Sequence, residues 1–451
     1  MDKLFENSGW LLIDKLSKLF PGVIIVALIG RHLGPEEFGV WNYALALTAI
    51  VGSGAILGMD KLAVKELINN EHRQGTIVAT IILMRISASL ICMSICIGIV
   101  MFAKEQQQLY LYCTIFSALV IVLQSFDVLD YFYQAKNNVK RVIIPKVAVF
   151  IAFCVIKLII VFLDGSLMAF LWASAMEMIV TYLIIIMVFS YHNTADFTLR
   201  IDRPLAKILL RQSWPLMLSN LVVILFMKID LVLLDMLSNA AELGKYVSAA
   251  RISELWYAIP TVISVAILPG LIQKKNGSRN DYLLALEKWL RLSFWLSAMI
   301  AVLITLTARL IIPFLYGEGY AAASWMLMIH VWAGIPVFLS IVFVQYLFVE
   351  GAYKIYLYGN LSGLMVNVCI NFMLIPSYGG MGAAIATVAA YTTVFGMLLL
   401  LDRSSQGYLL TKKMLHPALA ISDIKQLHKS LRIFTSNLIS NNKNTTSNEQ
   451  H

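Results

Sequence analysis

Ionisable side chains lie on two consecutive apolar segments of the chain, where charged groups are unusual. Residues 214–237 are almost entirely apolar, yet they include Lys228 and Asp230. The next apolar segment carries Arg251 and Glu254 within its first turns. Ionisable groups at such depth in a membrane span are costly unless they face other protein groups or a wet cavity. Two interpretations follow: buried structural salt bridges, or a polar cavity for a charged substrate.

The composition indicates the class of protein that carries these charges. The chain has 451 residues, of which 59% are hydrophobic and 14% charged. A soluble core does not need so much apolar sequence, so the chain is predicted to be a polytopic integral membrane protein. The five cysteines lie in apolar runs without metal-ligand spacing, and we therefore expect neither a metal nor a cofactor.

The apolar segments predict an all-α fold with about twelve transmembrane helices. The first segment, after Trp10, contains charged residues and lacks a small-residue cleavage site, so it is interpreted as a retained span and not a signal peptide. The predicted spans are residues 9–30, 38–58, 77–103, 109–133, 142–163, 167–190, 214–237, 246–272, 289–316, 325–350, 355–376 and 380–402.

The loops between these spans give the orientation. If the N-terminus is cytoplasmic, the inside loops hold fifteen lysines and arginines, whereas the outside loops hold only Arg31, Lys104 and Lys245. Positive residues concentrate in cytoplasmic loops of membrane proteins. Both termini are therefore predicted to be cytoplasmic. The net charge of +9 is largely a topology signal and gives no reason to expect nucleic-acid binding.

An internal repeat divides the predicted helices into two halves. The segment Glu37-Phe-Gly-Val-Trp-Asn-Tyr-Ala44 matches Glu242-Leu-Gly-Lys-Tyr-Val-Ser-Ala249, and each copy follows an outward-going span. The halves thus have the same orientation, as in parallel repeats related by a pseudo-two-fold axis along the membrane normal. Two such bundles facing a central cleft are typical of a transporter. The predicted organisation is a six-helix bundle at 1–190, a cytoplasmic linker at 191–213, a second six-helix bundle at 214–402 and a basic cytoplasmic tail at 403–451.

Several motifs resemble those of the bacterial polysaccharide-repeat flippases. Arg31-His-Leu-Gly-Pro-Glu-Glu-Phe-Gly39 resembles a signature that follows the first span of that family. Met227-Lys-Ile-Asp230 and the segment from Gly244 to Glu254 resemble its seventh and eighth spans. Leu315–Tyr320 and Asn371–Thr387 resemble later connections. As a set, these motifs resemble the Wzx-type O-antigen flippases of the multidrug/oligosaccharidyl-lipid/polysaccharide (MOP) exporter superfamily.

The resemblance implies a fold, a function and partners. It implies a MATE-like fold that works by alternating access in the bacterial inner membrane. The substrate would be an undecaprenyl-diphosphate-linked oligosaccharide, moved from the cytoplasmic to the outer leaflet through a cationic central cavity. The implied partners are this lipid-linked oligosaccharide, membrane lipid, and a polysaccharide polymerase with its chain-length regulator.

A diphosphate must be held by cations that neighbouring groups do not neutralise. Arg85 has no carboxylate within a helical turn, although bonds to backbone or hydroxyl groups of another helix are an alternative role. Lys157 lies near a span end, where its ammonium can reach the interface. Lys18 has the i,i+4 spacing for a pair with Asp14. The predicted diphosphate-binding residues are Arg85, Lys228, Arg251, Lys157, Lys18 and Lys15.

Carboxylates within the spans are candidates for coupling transport to an ion. Asp230 is the preferred protonatable or cation-coupling group, with Arg251 as its expected partner on the adjacent helix; Glu177 and Glu254 are the further candidates. A pair between Arg251 and Glu254 at i,i+3 is the structural alternative. Pro21 and Gly22, inside the first span, are the predicted hinge.

Two other functions are weighed against the flippase. A cation-coupled multidrug or small-molecule antiporter of the same superfamily would need a cavity dominated by acids, whereas bases are in surplus here. A membrane-embedded polymerase or acyltransferase would need a catalytic loop or a cluster of His, Asp and Arg side chains. The predicted outside loops are too short for that, so we expect the protein not to be an enzyme.

Overall fold

A computed structural model of the chain describes residues 2–105, 107–192, 200–402, 411–412, 414–423 and 425. These residues are almost entirely helical, and no β-strand occurs among them, which confirms the predicted all-α class. The α-helices are α1 Asp2–Gly52, α2 Asp60–Asn69, α3 Gln74–Ala103, α4 Gln108–Leu123, α5 Val128–Ala135, α6 Lys140–Phe162, α7 Leu167–His192, α8 Arg203–Leu237, α9 Ala240–Leu255, α10 Ala258–Gly277, α11 Arg279–Tyr316, α12 Ala323–His330, α13 Gly334–Glu350 and α14 Tyr353–Leu401. Short 3-10 helices occupy Glu71–Arg73, Gln124–Asp127, Glu318–Tyr320 and Val331–Ala333.

The two longest helices, α1 and α14, are each broken at a glycine. Gly34 has φ 76° and ψ 170°, and Gly379 has φ 51° and ψ −131°. Glycine adopts positive φ without the steric cost that a Cβ imposes. Both breaks fall in loops predicted from the sequence, between 9–30 and 38–58 and between 355–376 and 380–402. Each of these helices therefore consists of two segments that meet at the predicted loop.

Most of the described helices coincide with predicted spans, but fewer than twelve of them meet the length and hydropathy of a membrane span. Eight of the described helices are long and apolar enough to cross a membrane, or nine if the bent pair Ala240–Ser264 and Ile267–Gly277 is one span. The predicted number of twelve therefore stays a prediction. What is confirmed is an all-helical, multi-pass membrane protein.

Helices α8 and α11 start well before their apolar parts, since α11 begins at Arg279 although its span was predicted from residue 289. The apolar pattern places a span at 214–237, whereas α8 already begins at Arg203. The Asp202 carboxylate caps this helix by accepting the backbone N–H of Leu205 at 3.1 Å, and Pro204 occupies the first turn. An N-cap acceptor followed by proline is a strong helix start. Part of the predicted linker 191–213 is thus helical, while its residues 193–199 lie outside the described chain.

The described residues form two compact units. The first comprises Met1–Leu255, Thr305–Val331 and Asn360–Ala390; the second comprises Trp256–Ile304, Trp332–Gly359 and Tyr391–His451. These units are discontinuous in the chain and are not the two predicted six-helix bundles with their linker, so that division stays a prediction. Most of the predicted tail at 403–451 lies outside the described residues.

A buried aromatic and aliphatic core in the first unit holds α2, α3, α5 and α7 together. It includes Met59, Val78 and Leu129, each at most 2% exposed. The rings of Phe132 and Phe189 meet edge to face with their centroids 5.1 Å apart. Such packing fixes the helices from which Arg85 and several carboxylates project.

Candidate functional site

Asp230 lies at the centre of a hydrogen-bonded group formed by α8, α9 and α14. The Tyr246 hydroxyl donates to Asp230 Oδ2 at 2.5 Å, and the Thr387 hydroxyl is 3.0 Å from the Tyr246 oxygen. Asp230 Oδ1 accepts the backbone N–H of Leu231 at 2.9 Å. All of these groups belong to the first unit, and Asp230 is 7% exposed. The carboxylate is therefore held by neutral donors.

The expected pairing of Asp230 with Arg251 is wrong. The Arg251 guanidinium donates to the side-chain oxygen of Asn42 at 3.0 Å instead. Tyr246 and Arg251 are five residues apart on α9, which places them on different faces of the helix. Since Tyr246 faces Asp230, Arg251 is directed elsewhere. Within the described part of the chain Arg251 also makes no ion pair with Glu254, so the i,i+3 alternative is not seen.

Two of the predicted cations have no salt-bridge partner among the described residues. Lys228 is half-buried on α8 and, among the residues the structure describes, has no carboxylate oxygen within 4.0 Å. Arg251 is also half-buried, and its Nε is enclosed without a hydrogen-bond acceptor. Cations in this state are suited to an anionic ligand, because charge-assisted hydrogen bonds to phosphate oxygens are strong.

Arg85, by contrast, has protein partners. Its side chain is 2% exposed and forms an ion pair with Asp60 Oδ1 at 2.5 Å, with a second bond to the Ile56 carbonyl at 3.2 Å. Its guanidinium also lies 5.4 Å from the centre of the Tyr131 ring. The pocket beside it has a volume of about 10 Å³, enough for roughly one water. In this conformation the surroundings of Arg85 favour the structural alternative.

The remaining predicted cations divide into paired and exposed ones. Lys157 Nζ is 2.6 Å from Glu177 Oε2, which joins a predicted phosphate ligand to a predicted coupling carboxylate. Lys18 Nζ is 2.6 Å from Asp14 Oδ1, as the i,i+4 spacing suggested. Lys15 is exposed. The structure thus pairs Lys157 with Glu177, whereas Lys228 and Asp230 are two residues apart on α8, a spacing at which helical side chains do not face each other.

The predicted hinge at Pro21 and Gly22 lies within an uninterrupted part of α1. The non-helical backbone in this helix is at Gly34, twelve residues beyond Gly22. Pro21 lacks the N–H that would bond to the preceding turn. The hinge role therefore stays a prediction for a change of conformation.

Sequence reasoning missed a polar cluster on α5 and its neighbours. Tyr131 donates to Asp60 at 2.8 Å, Tyr182 donates to Asp127 at 2.8 Å, and Lys146 forms an ion pair with Asp130. These carboxylates are close to the ends of predicted spans, where charges usually face water. The i,i+3 spacing of Asp127 and Asp130 in an apolar run was the available signal, because it places both on one helix face.

Replacement of Arg85 by alanine is expected to destabilise the protein. The change removes the bonds to Asp60 and Ile56 and leaves a void among α2, α3 and α5. A lost hydrogen bond to a charged group costs about 1.5–3 kcal/mol, and the half-exposed Asp60 limits the further penalty. Thermal unfolding of the detergent-solubilised protein measures this effect. An unchanged unfolding temperature together with lost transport would instead favour direct ligand binding by Arg85.

The second unit contains an apolar cavity that carries none of the predicted cations. Its volume is about 530 Å³, and its lining includes Trp289, Trp295 and Phe338 together with Ile421 from the C-terminal part of the chain. The Arg291 guanidinium fixes that part through a bond to Asp423 at 2.6 Å. An apolar cavity of this kind suits a hydrocarbon chain better than a charged group.

Comparisons of the sequence with known proteins identify a family and a relative. A profile of the family described as "Polysaccharide biosynthesis protein" matches residues 4–275. The chain is 21% identical over 402 residues to a "Putative O-antigen transporter" of Shigella flexneri, covering 85% of this chain and 94% of the relative.

Two solved structures are similar in fold. One is the lipid II flippase MurJ in an inward closed conformation, with a TM-score of 0.68, 14% identity and 91% of each chain covered. Another is a multidrug resistance MATE family transporter of the MOP superfamily in an inward-facing conformation, with a TM-score of 0.66, 16% identity and coverage of 90% and 99%. These likenesses confirm the predicted MATE-like fold. The resemblance drawn from the motifs is confirmed as well, and the chain belongs to the family described as "Polysaccharide biosynthesis protein".

Proposed function

We propose that the protein is a flippase that moves undecaprenyl-diphosphate-linked oligosaccharide units of an O-antigen or related polysaccharide across the bacterial inner membrane. Transport runs from the cytoplasmic to the outer leaflet by alternating access. The family match and the O-antigen transporter of Shigella flexneri support the substrate class. The positive residues in the predicted inside loops support cytoplasmic termini. The direction of transport is the one that the family resemblance implies.

The observation that carries the proposal is that two cations of the first unit, Lys228 and Arg251, have no carboxylate oxygen within 4.0 Å among the described residues. A diphosphate brings at least two negative charges, and it needs cations that are not already neutralised. Both residues are half-buried, so their charges are screened less than on the surface. The other predicted ligands Arg85, Lys157 and Lys18 have carboxylate partners in this conformation, and they bind diphosphate only if those pairs open.

Asp230 is proposed as the group that couples transport to an ion. Its carboxylate is buried, accepts hydrogen bonds from a hydroxyl and an amide, and has no salt-bridge partner within 4.0 Å in the described part of the chain. Such a carboxylate can exchange a proton or a small cation without first breaking a salt bridge. Glu254, which the structure leaves without an ion pair in the described chain, and Glu177, bound to Lys157, are secondary candidates.

The alternatives are less well supported. A multidrug antiporter shares the fold, as the MATE structure illustrates, but the family profile is that of polysaccharide biosynthesis. The named relatives are transporters and flippases, which gives no support to a polymerase or acyltransferase. A polymerase and a chain-length regulator are proposed as partners, because the translocated unit must be polymerised next.

The test is the leaflet location of the lipid-linked repeat unit in cells with and without this gene. Deletion is expected to trap the undecaprenyl-diphosphate-linked unit on the cytoplasmic side, where membrane-impermeant lectins or glycosidases added to spheroplasts do not reach it. Complementation with the intact gene is the control. If the units still reach the outer leaflet in the deletion strain, the protein is not the flippase, and the antiporter or enzyme hypothesis must be reconsidered.

A further inference from the structure

The two copies of the internal repeat pack directly against each other. A Cβ added at Gly39 would overlap the carbonyl oxygen of Ala240, and a Cβ added at Gly244 would overlap the carbonyl oxygen of Pro35. Gly39 and Gly244 occupy equivalent places in the repeat, so the contact is reciprocal. The second part of α1 and the start of α9 meet backbone to backbone at this seam, which we define as Pro35–Gly39 with Ala240–Gly244.

Hydrogen bonds surround this seam within the first unit. Tyr320 donates to the Gly30 carbonyl at 2.7 Å, and the Glu242 carboxylate accepts the backbone N–H of Gly380 at 3.2 Å. Glu242 also pairs with Lys245 at 3.0 Å. The seam, Gly30 and Gly380 all lie at or beside the helix breaks that the predicted topology places on the outer face. The seam is therefore a closed contact at that face.

A buried ion pair lies beside the seam and joins the end of α3 to the end of α8. Lys104 Nζ is 2.6 Å from Asp235 Oδ2, and the two side chains are 14% and 0% exposed. Tyr110 donates to Asp235 Oδ1 at 2.6 Å, while the Lys104 ammonium lies 4.6 Å from the centre of the Tyr110 ring. Lys104 comes from the half of the sequence before the linker and Asp235 from the half after it.

The position and energetics of this pair differ from those of a permanent brace. A buried ion pair gives little net stability, because the attraction is offset by the loss of hydration. Both residues are at helix ends, so water can hydrate them as soon as they separate. Asp235 is five residues beyond Asp230 on α8, or about 7.5 Å along the helix axis. The pair thus lies roughly one turn outside the proposed coupling carboxylate.

We propose that the Lys104–Asp235 ion pair is a releasable latch that holds the outer gate shut, with the glycine seam of the two repeat copies as the closing surface. Opening separates Lys104 from Asp235, parts α1 from α9 at the seam, and gives the outer side access to the region of Lys228 and Asp230. The proposal rests on the proposed transport function, since it assigns a gate to that transporter. Tyr110 positions the Asp235 carboxylate toward Lys104.

Cysteine accessibility tests the latch. Ser248 is fully buried on α9, one turn beyond Gly244, so S248C is a conservative reporter placed behind the seam. It is introduced into a variant whose five native cysteines are replaced and whose polysaccharide export is retained. Intact cells are treated with a membrane-impermeant maleimide. Lys104→Ala and Asp235→Ala are each expected to raise the labelling rate at least about tenfold, because removal of one partner leaves the other charge buried and unpaired in the closed state.

Matched variants separate a latch from general loosening. Glu105→Gln removes an exposed charge next to Lys104 and is expected to leave labelling at the parent rate. The charge exchange K104D/D235K restores an ion pair and is expected to return labelling toward the parent rate. Unchanged labelling in both single alanine variants would overturn the proposal. The proposal would also be overturned if Glu105→Gln raised the labelling rate as much as the alanine variants do. The same holds if the labelling rate of the charge-exchange variant stayed as high as that of the alanine variants.

Two further measurements keep the proposal testable if a single variant folds poorly. Gly244→Ala places a methyl group in the seam and is expected to raise labelling while Lys104 and Asp235 are intact. The second measurement labels inverted membrane vesicles, which expose the cytoplasmic face, and the same variants are expected to leave their labelling rate unchanged. An increase seen in vesicles but not in intact cells would place the contact on the cytoplasmic face and overturn the proposal. Labelling needs no substrate, so a wrong substrate assignment fails in the leaflet experiment and leaves this result unaffected.

Discussion

Replacement of Lys228 by glutamine is expected to abolish polysaccharide export while the protein still reaches the membrane at its normal level. In the described part of the chain, the Lys228 ammonium has no carboxylate partner to lose, so its removal costs little stability. The charged hydrogen bonds to a diphosphate are lost, at about 1.5–3 kcal/mol for each, which corresponds to at least a tenfold loss of affinity. Complementation of a deletion strain, with immunoblotting of the membranes, measures both quantities.

Two control variants accompany this experiment. Lys228→Arg keeps a cation on α8 and is expected to retain partial export. Arg309→Gln removes an exposed basic residue whose guanidinium lies over the Trp325 ring, 4.5 Å from its centre, and is expected to leave export unchanged. Normal export with Lys228→Gln at equal protein level would contradict the phosphate-binding role.

Replacement of Asp230 by asparagine is expected to slow transport at least tenfold without weakening binding of the lipid-linked substrate. The asparagine fits the same space and still accepts a hydrogen bond from Tyr246, so α8 and α9 remain packed. It cannot take up a proton or hold a cation as a carboxylate does. Initial rates of translocation in proteoliposomes, compared with substrate binding to the solubilised protein, separate the two effects.

The dependence on external pH provides the control for this prediction. Tyr246→Phe removes the hydroxyl donor but keeps the Asp230 carboxylate, so coupling is expected to persist with an altered pH profile. Substitution of Glu254 by glutamine provides the comparison for the secondary candidate. If Asp230→Asn gives normal turnover at every external pH, Asp230 has no part in coupling.

Hydropathy alone located most helices, because a span needs a long apolar run whatever it packs against. The predicted span 142–163 corresponds to α6, Lys140–Phe162, and 167–190 corresponds to α7, Leu167–His192. The glycines at 34 and 379 mark loops that the sequence had already placed. By contrast, the start of α8 at Arg203 was missed, since its first turns are basic and carry no apolar signal.

The amino-acid sequence was sufficient to identify the class of protein, the family resemblance and the charged residues within the spans. It also revealed the repeat, because equivalent segments kept the same spacing of glutamate, glycine and aromatic residue. These are properties of a residue and its chain neighbours, which periodicity and motifs record.

Which of these charges have a salt-bridge partner is visible only in the folded chain. Arg85 and Lys228 look alike in the sequence, yet Arg85 has Asp60 as a partner whereas Lys228 has none among the described residues. The partner comes from another helix, at a separation in the chain that no local pattern encodes. The same holds for Asp230 with Tyr246 and for Lys104 with Asp235. The free energy of a buried charge depends on groups within a few ångströms in space, and helix packing alone brings those groups together.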